Sequence, residues 1–201
     1  MKKLCFALLA LLLPYCLSAQ TDGKAKEILD KVIDILTKDG GVQIDFDGTE
    51  NGSIILKGEK FYLHSGQIQS WYDGNTQWSY VADTEEVNVS NPTQKELQGV
   101  NPYFVLVNYQ ANFNSQYNGY KNISGKQVHE IVLLPKEKGN VDKITLRVSK
   151  LHHPIYIKVE QNQKTVSEIN VKSFQKQPHI NDQVFRFNKS LFPDAEIIDL
   201  R

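Results

Sequence analysis

From Gly41 onward the chain breaks into short runs in which apolar and polar residues alternate. These runs are rich in β-branched and aromatic side chains, and Gly, Asn, Asp or Pro separates them every 8 to 12 residues or so. A hydrophobic period of two puts apolar side chains on one face of an extended strand, and closely spaced turns return each strand beside the last. Antiparallel β-structure is therefore predicted, with strands near 43–47, 53–57, 60–64, 67–72, 77–81, 86–90, 126–134, 143–149, 155–160, 165–174 and 183–187. That is enough for a large curved sheet. Parity places Ile144, Leu146 and Val148 on one side and Thr145 and Arg147 on the other, and Ile155, Ile157 and Val159 repeat the apolar side in the next strand. Asp73-Gly74-Asn75 marks a turn between two aromatic runs, and Gly58-Glu59 and Ser65-Gly66 mark further hairpins. Whether Trp71 shares a face with Trp78 and Tyr80 depends on a register that the pattern alone leaves open.

Two helical signals interrupt the β-pattern. Ala25, Ile28, Leu29, Val32, Ile35 and Leu36 follow helical spacing, with Asp22 as the expected N-cap and Gly40-Gly41 past the end. Asn101-Pro102 reads as an N-cap followed by proline at the first helical position, opening a short helix through Tyr103-Phe104-Val105-Leu106-Val107. That helix is apolar on every side and must be covered on both. The Asn-, Gln-, Tyr- and Gly-rich stretch 108–121 reads as an irregular connection.

Ahead of the first helix, Met1-Lys2-Lys3, the apolar run 4–13 and the small residues before Gln20 read as a signal peptide over residues 1–19, leaving one domain over 20–201. The apolar run is about half of the roughly 20 residues a membrane-spanning helix needs, so a soluble exported protein is expected. Both cysteines, Cys5 and Cys16, fall in the removed segment, which leaves the mature domain without thiol chemistry. Lipidation at Cys16 is the competing reading, disfavoured by Pro14 and Tyr15 just before it.

Basic and acidic side chains balance at 23 each, and there is no basic cluster to hold a phosphate backbone, so nucleic acid is not an expected partner. His64, His129, His152, His153 and His179 lack metal-ligand spacing, and no metal or other cofactor is expected. There is no Gly-x-Ser-x-Gly elbow and no Gly-rich phosphate loop. Asp45 and Asp47 share a strand parity better suited to a solvated face than to an opposed carboxylate pair. An enzyme is not expected.

The run Trp71-Tyr72-Asp73-Gly74-Asn75-Thr76-Gln77-Trp78-Ser79-Tyr80 resembles the Asp-Gly turn of the periplasmic lipoprotein carrier family, LolA. The resemblance continues through 52–57, through Asn101 to Leu106, through the paired late strands over 140–160, and through Phe185-Arg186-Phe187 to the closing segment 192–199. It implies a mainly β fold: an open, half-closed antiparallel β-barrel whose concave face is covered by helices, with an apolar cavity between them for lipoprotein acyl chains. The role it implies is a monomeric, non-enzymatic periplasmic carrier. Such a carrier takes acylated lipoproteins from an inner-membrane transporter and gives them to an outer-membrane acceptor. Where the family commonly has Arg-Pro at the end of the second strand, this chain has Lys57-Gly58; lysine keeps the charge but not the bidentate donor array that helps control the lid. Leu56, Trp78, Tyr80, Phe104, Leu106, Leu146 and Ile157 are the expected cavity lining, and Lys57 is the expected lid or partner contact. Two rival readings are a lipid or lipoprotein sensor of the same fold, and a closed-core secreted β-domain that binds protein or glycan by its outer face.

Overall fold

The computed structural model describes the backbone of residues 13–38, 40–100 and 102–201. Most of the expected export segment, and Asn101 with its expected cap, lie outside the described residues. Helix α1 (Leu13–Thr37) is followed by β1 (Val42–Gly48), β2 (Gly52–Lys57), β3 (Lys60–Ser65), β4 (Ile68–Tyr72), β5 (Gln77–Val81) and β6 (Glu86–Ser90). Three short helices follow, α2 (Gln94–Val100), α3 (Pro102–Val107) and α4 (Tyr109–Asn112). The chain then returns as β7 (Phe113–Ile123), β8 (Lys126–Pro135), β9 (Lys143–Val148), β10 (Pro154–Gln161) and β11 (Lys164–Lys176), and ends with β12 (Glu196–Asp199).

Among the described residues these strands form one open twelve-stranded sheet, in the order β12-β6-β5-β4-β3-β2-β1-β11-β10-β9-β8-β7. Two antiparallel meanders, β1–β6 and β7–β11, meet along a single seam where β1 pairs with β11. β12 caps the far edge by running parallel to β6. The sheet does not close on itself; it is the open, half-barrel form of a mainly β fold.

α1 buries Ala25, Ile28, Leu29, Val32 and Leu36 against the sheet, the i, i+3, i+4 stripe of an amphipathic helix. Its wet side carries the ion pairs Lys24–Glu27, Lys26–Asp30, Lys31–Glu27 and Lys38–Asp34. Gly40 follows at φ +84°, a left-handed conformation in which an added Cβ would also press on the Pro178 backbone at 3.0 Å. The helix continues back to Leu13, so Asp22 lies within it and is no N-cap. α3 buries Tyr103, Phe104 and Leu106 and packs Val105 and Val107 against the same core, so it is covered on more than one side.

Three further expectations are corrected. The stretch 108–121 read as an irregular connection holds α4 and, from Phe113 on, β7, an edge strand lying against α1. Its alternation sets Phe113, Ser115 and Tyr117 against Asn114, Gln116 and Asn118, a contrast too polar to stand out as a strand. The expected last strand at 183–187 is instead a 3₁₀ turn, Asp182–Phe185, because the Asn181 side chain accepts the Gln183 N–H at 3.0 Å and starts a helical turn. Ile155 leaves its expected face because the β9–β10 register shifts between Pro154 and Tyr156.

Candidate functional site

Register assigns the two faces of the sheet. Leu56 lies opposite Phe61, Phe61 opposite Tyr72, and Tyr72 opposite Gln77, so these residues share the face on which the helices pack. Trp71 lies opposite both Tyr62 and Trp78, and Tyr80 lies opposite Val87, which puts this second set on the other face. We call these the inner and outer faces.

An apolar cleft runs between the inner face and the helices. From the helix side it is walled by Leu36 of α1 and by Tyr103 and Leu106 of α3. From the first meander it takes Ile44, Phe46, Ile54, Leu56 and Leu63, and from the second Pro154, Ile157, Ile169 and Val171. Tyr103 is the one lining residue that titrates. Its phenol donates to the Gly58 carbonyl at 2.6 Å, and burial, with the Glu59 charge adding to it, raises its pKa well above the ordinary value. The free volume of the cleft is about 80 Å³. That is room for two or three water-sized groups, well below the roughly 300 Å³ at which ligand pockets begin.

Of the residues expected to line a cavity, Leu56, Leu106 and Ile157 meet in this cleft. Phe104 and Leu146 belong to the packed core beside it, Phe104 between Phe61 and Tyr72 with ring centroids 5.7 and 6.1 Å away. Trp78 and Tyr80 are not brought there. They sit on the outer face, packed with Val87, Val89 and Ala195 under Phe187 and Phe192, and the Tyr80 and Phe192 centroids are 4.7 Å apart. The register across the Asp73 turn is the reason: the inner lining at β4–β5 has the parity of Tyr72 and Gln77, and Trp78 and Tyr80 take the opposite one. Lys57 does not reach the helices through its ammonium. It donates to Asp182 Oδ1 at 2.7 Å and to the Ile180 carbonyl at 3.0 Å, and with Lys60, 2.5 Å from Asp182 Oδ2, it ties down the C-terminal segment.

Beyond Tyr72, which packs on Phe104, the inner face changes character along β4–β6, and none of the described helix residues lines it there. Ser70, Gln77, Ser79, Asn88 and Ser90, with Glu50, Ser65, Gly66, Gln67 and Ile68 at the rim, surround an open groove of about 1120 Å³. Leu63 lines both this groove and the apolar cleft. Ser70 and Gln77 are buried and joined by Gln77 Nε2 donating to Ser70 Oγ at 2.9 Å, which fixes the groove floor. Sequence reasoning missed this groove, although the signal was present: once Trp71 and Trp78 are turned outward, Ser70, Gln77, Ser79, Asn88 and Ser90 all fall on the inward parity of three strands.

His129 Nδ1 is 3.0 Å from the Tyr117 hydroxyl and burial lowers its pKa, but among the described residues no group of three His, Cys, Asp or Glu could hold a metal. None of the described helices is long and apolar enough to cross a membrane.

Residues 16–163, well over half of the chain, match the model of a family described as outer membrane lipoprotein carrier protein LolA. No curated protein matches the chain. Among solved structures, an uncharacterised conserved protein from Thermus thermophilus superposes with a TM-score of 0.64 at 15% identity, covering 88% of this chain and 99% of its own. A putative outer membrane lipoprotein-sorting protein domain from Vibrio parahaemolyticus gives a TM-score of 0.49 at 12% identity, covering 85% and 99%. The lipoprotein LppX of Mycobacterium tuberculosis gives 0.44 at 12% identity, covering 78% and 99%.

Proposed function

This chain belongs to the LolA family of outer membrane lipoprotein carrier proteins, and from that premise we propose that it is a periplasmic, non-enzymatic carrier that holds lipoprotein acyl chains between its sheet and its helices. The observation that carries the reading is a cleft lined by apolar side chains and one phenol, with walls from two separate layers. Burying an acyl chain is worth about 0.8 kcal/mol per CH₂, so a carrier must return roughly 10 kcal/mol to lift one long chain out of a bilayer. An apolar lining sealed from water can do that, and an exposed groove cannot. On this reading the volume of about 80 Å³ belongs to a closed state, and α1 and α3 lift from the sheet to admit the chain. Closing the empty cleft also keeps its lining from presenting an adhesive patch to other proteins. The cargo is acylated lipoprotein, released by an inner-membrane transporter and passed to an outer-membrane acceptor.

The test is a calorimetric titration of the purified protein with a triacylated lipopeptide, with the same peptide lacking acyl chains as control. Calorimetry suits this protein better than tryptophan fluorescence, because Trp71 and Trp78 lie on the outer face. Saturable binding of the acylated form alone is expected. Equal binding of both forms, or of neither, would overturn the reading in favour of a closed core.

A further inference from the structure

An acyl chain seated in the cleft leaves the polar part of its molecule to be accommodated outside, and on the inner face the cleft adjoins the groove of β3–β6 at Leu63, which lines both. We infer that this groove is a second subsite, which holds in extended form the peptide that follows a lipid anchor and binds it through its backbone. The inference rests on the carrier reading above and deepens it.

Three observations carry it. First, the groove is lined by neutral polar groups: above a floor of buried, mutually bonded Ser70 and Gln77, the side chains of Ser65, Ser79, Asn88 and Ser90 offer hydroxyl and amide groups, each both donor and acceptor, and among its described lining residues Glu50 at the rim is the lone carboxylate. Peptide N–H and C=O groups need such partners and lose water when they dock, whereas a charged lining would select by cargo charge. Second, the polar residues are set by parity, not by chance exposure. Ser70 faces Ser79, Ser79 faces Asn88, and Gln77 faces Ser90 across three strands, while of the alternate positions Trp71, Trp78, Tyr80, Val87 and Val89 are aromatic or aliphatic and Gln69 alone is an amide. Third, among the described residues no aromatic ring lines the groove to give the flat apolar platform that a sugar ring would stack on. A carrier serving many cargoes gains from reading only what they share, the acyl chain and the peptide backbone.

The experiment compares four probes on the full chain by calorimetry: a diacyl lipid without peptide, the same lipid bearing a neutral peptide of about five residues, that lipopeptide with its backbone amides N-methylated, and the lipid bearing a neutral sugar. The lipopeptide is expected to bind roughly tenfold tighter than the bare lipid, the factor that one or two net hydrogen bonds supply. N-methylation should remove the gain, and so should the double variant S79L/N88L, which is expected to bind the bare lipid like the original protein. Equal affinity for lipid and lipopeptide, a gain that survives N-methylation, or an equal gain from the sugar would overturn the inference and leave the carrier reading standing. Failure of every acylated probe to bind would overturn both. The N-methylated probe needs no variant, so the test holds even if S79L/N88L folds poorly.

Discussion

Tyr103 is the residue on which closure of the cleft turns, because its hydroxyl is the polar tie between α3 and the β2–β3 hairpin while its ring lines the cleft. Tyr103→Phe keeps the ring and removes the bond. We expect a loss of about 1 kcal/mol of stability by denaturant titration and tighter binding of an acyl probe by about fivefold, since the closed state is the one weakened. Trp71 supplies the contrast. It stacks on Tyr62 at 5.3 Å and meets Phe187 and Phe192 edge-on at 5.4 and 5.6 Å, all on the outer face. Trp71→Ala should therefore cost about 3–5 kcal/mol of stability and leave acyl-probe affinity unchanged, measured by the same two methods. At this scale the sequence identified which residues are apolar, and Leu56, Leu106 and Ile157 needed nothing more. Trp78 and Tyr80 needed the pairing across the Asp73 turn, because a one-residue difference in register reverses a side chain's face.

At the scale of elements, the C-terminal segment is a strap held at two places. Asp182 is clamped by Lys57 and Lys60, which hold its carboxyl down at about 2 against an ordinary 3.8. A carboxylate with a depressed folded-state pKa contributes stability that is complete above its unfolded value and is lost as the pH falls through the folded one. The contribution of Asp182 is thus constant at neutral pH and fades between roughly pH 4 and pH 2. Lys57→Met should raise the Asp182 carboxyl pKa, read by NMR titration, with Lys60 keeping it below the ordinary value. Further on, β12 covers the β6 edge, Glu196 N–H donating to the Glu85 carbonyl and Leu200 N–H to the Val89 carbonyl. Deleting residues 196–201 bares a strand edge, and self-association on size-exclusion chromatography is the expected outcome. Most strands were legible from their alternation, and β5 and β6 fall at the positions expected of them. The ones that escaped are β7, whose inward side is Ser, Tyr and Gly as much as Phe, and β12, four residues whose place depends on a distant partner. The Ser65-Gly66 connection is displaced by one residue, to Gly66-Gln67, since Ser65 still pairs with Ile68.

For the whole molecule, one sheet carries two unlike surfaces on the same inner face. Over β1–β3, β8–β11 and the Tyr72 end of β4 that face is apolar and helix-covered; from Ser70 across β5 and β6 it is lined by polar residues and open. The open half-barrel itself could be anticipated from strand number and from the resemblance of the Asp-Gly turn and flanking segments. The division of the inner face could not, because it appears only when the strands are laid side by side in register. The outer face has a small core of its own beneath Phe187 and Phe192, so β4–β6 are apolar on the side that the closing segment covers.

The seam between β1 and β11 also decides when the cleft comes into being. Each meander can assemble from neighbours in sequence, but the seam joins residues such as Ile44 and Phe174, which are far apart along the chain, and such pairings form slowly. The cleft draws one wall from each meander, Leu56 and Leu63 on one side and Ile157 and Ile169 on the other. In a refolding experiment, strand signal in circular dichroism should therefore rise before the capacity to bind an acyl probe, which should appear only with the slowest phase. Binding competence in this protein is a late product of folding, and an unfinished chain has no cleft in which to take up cargo.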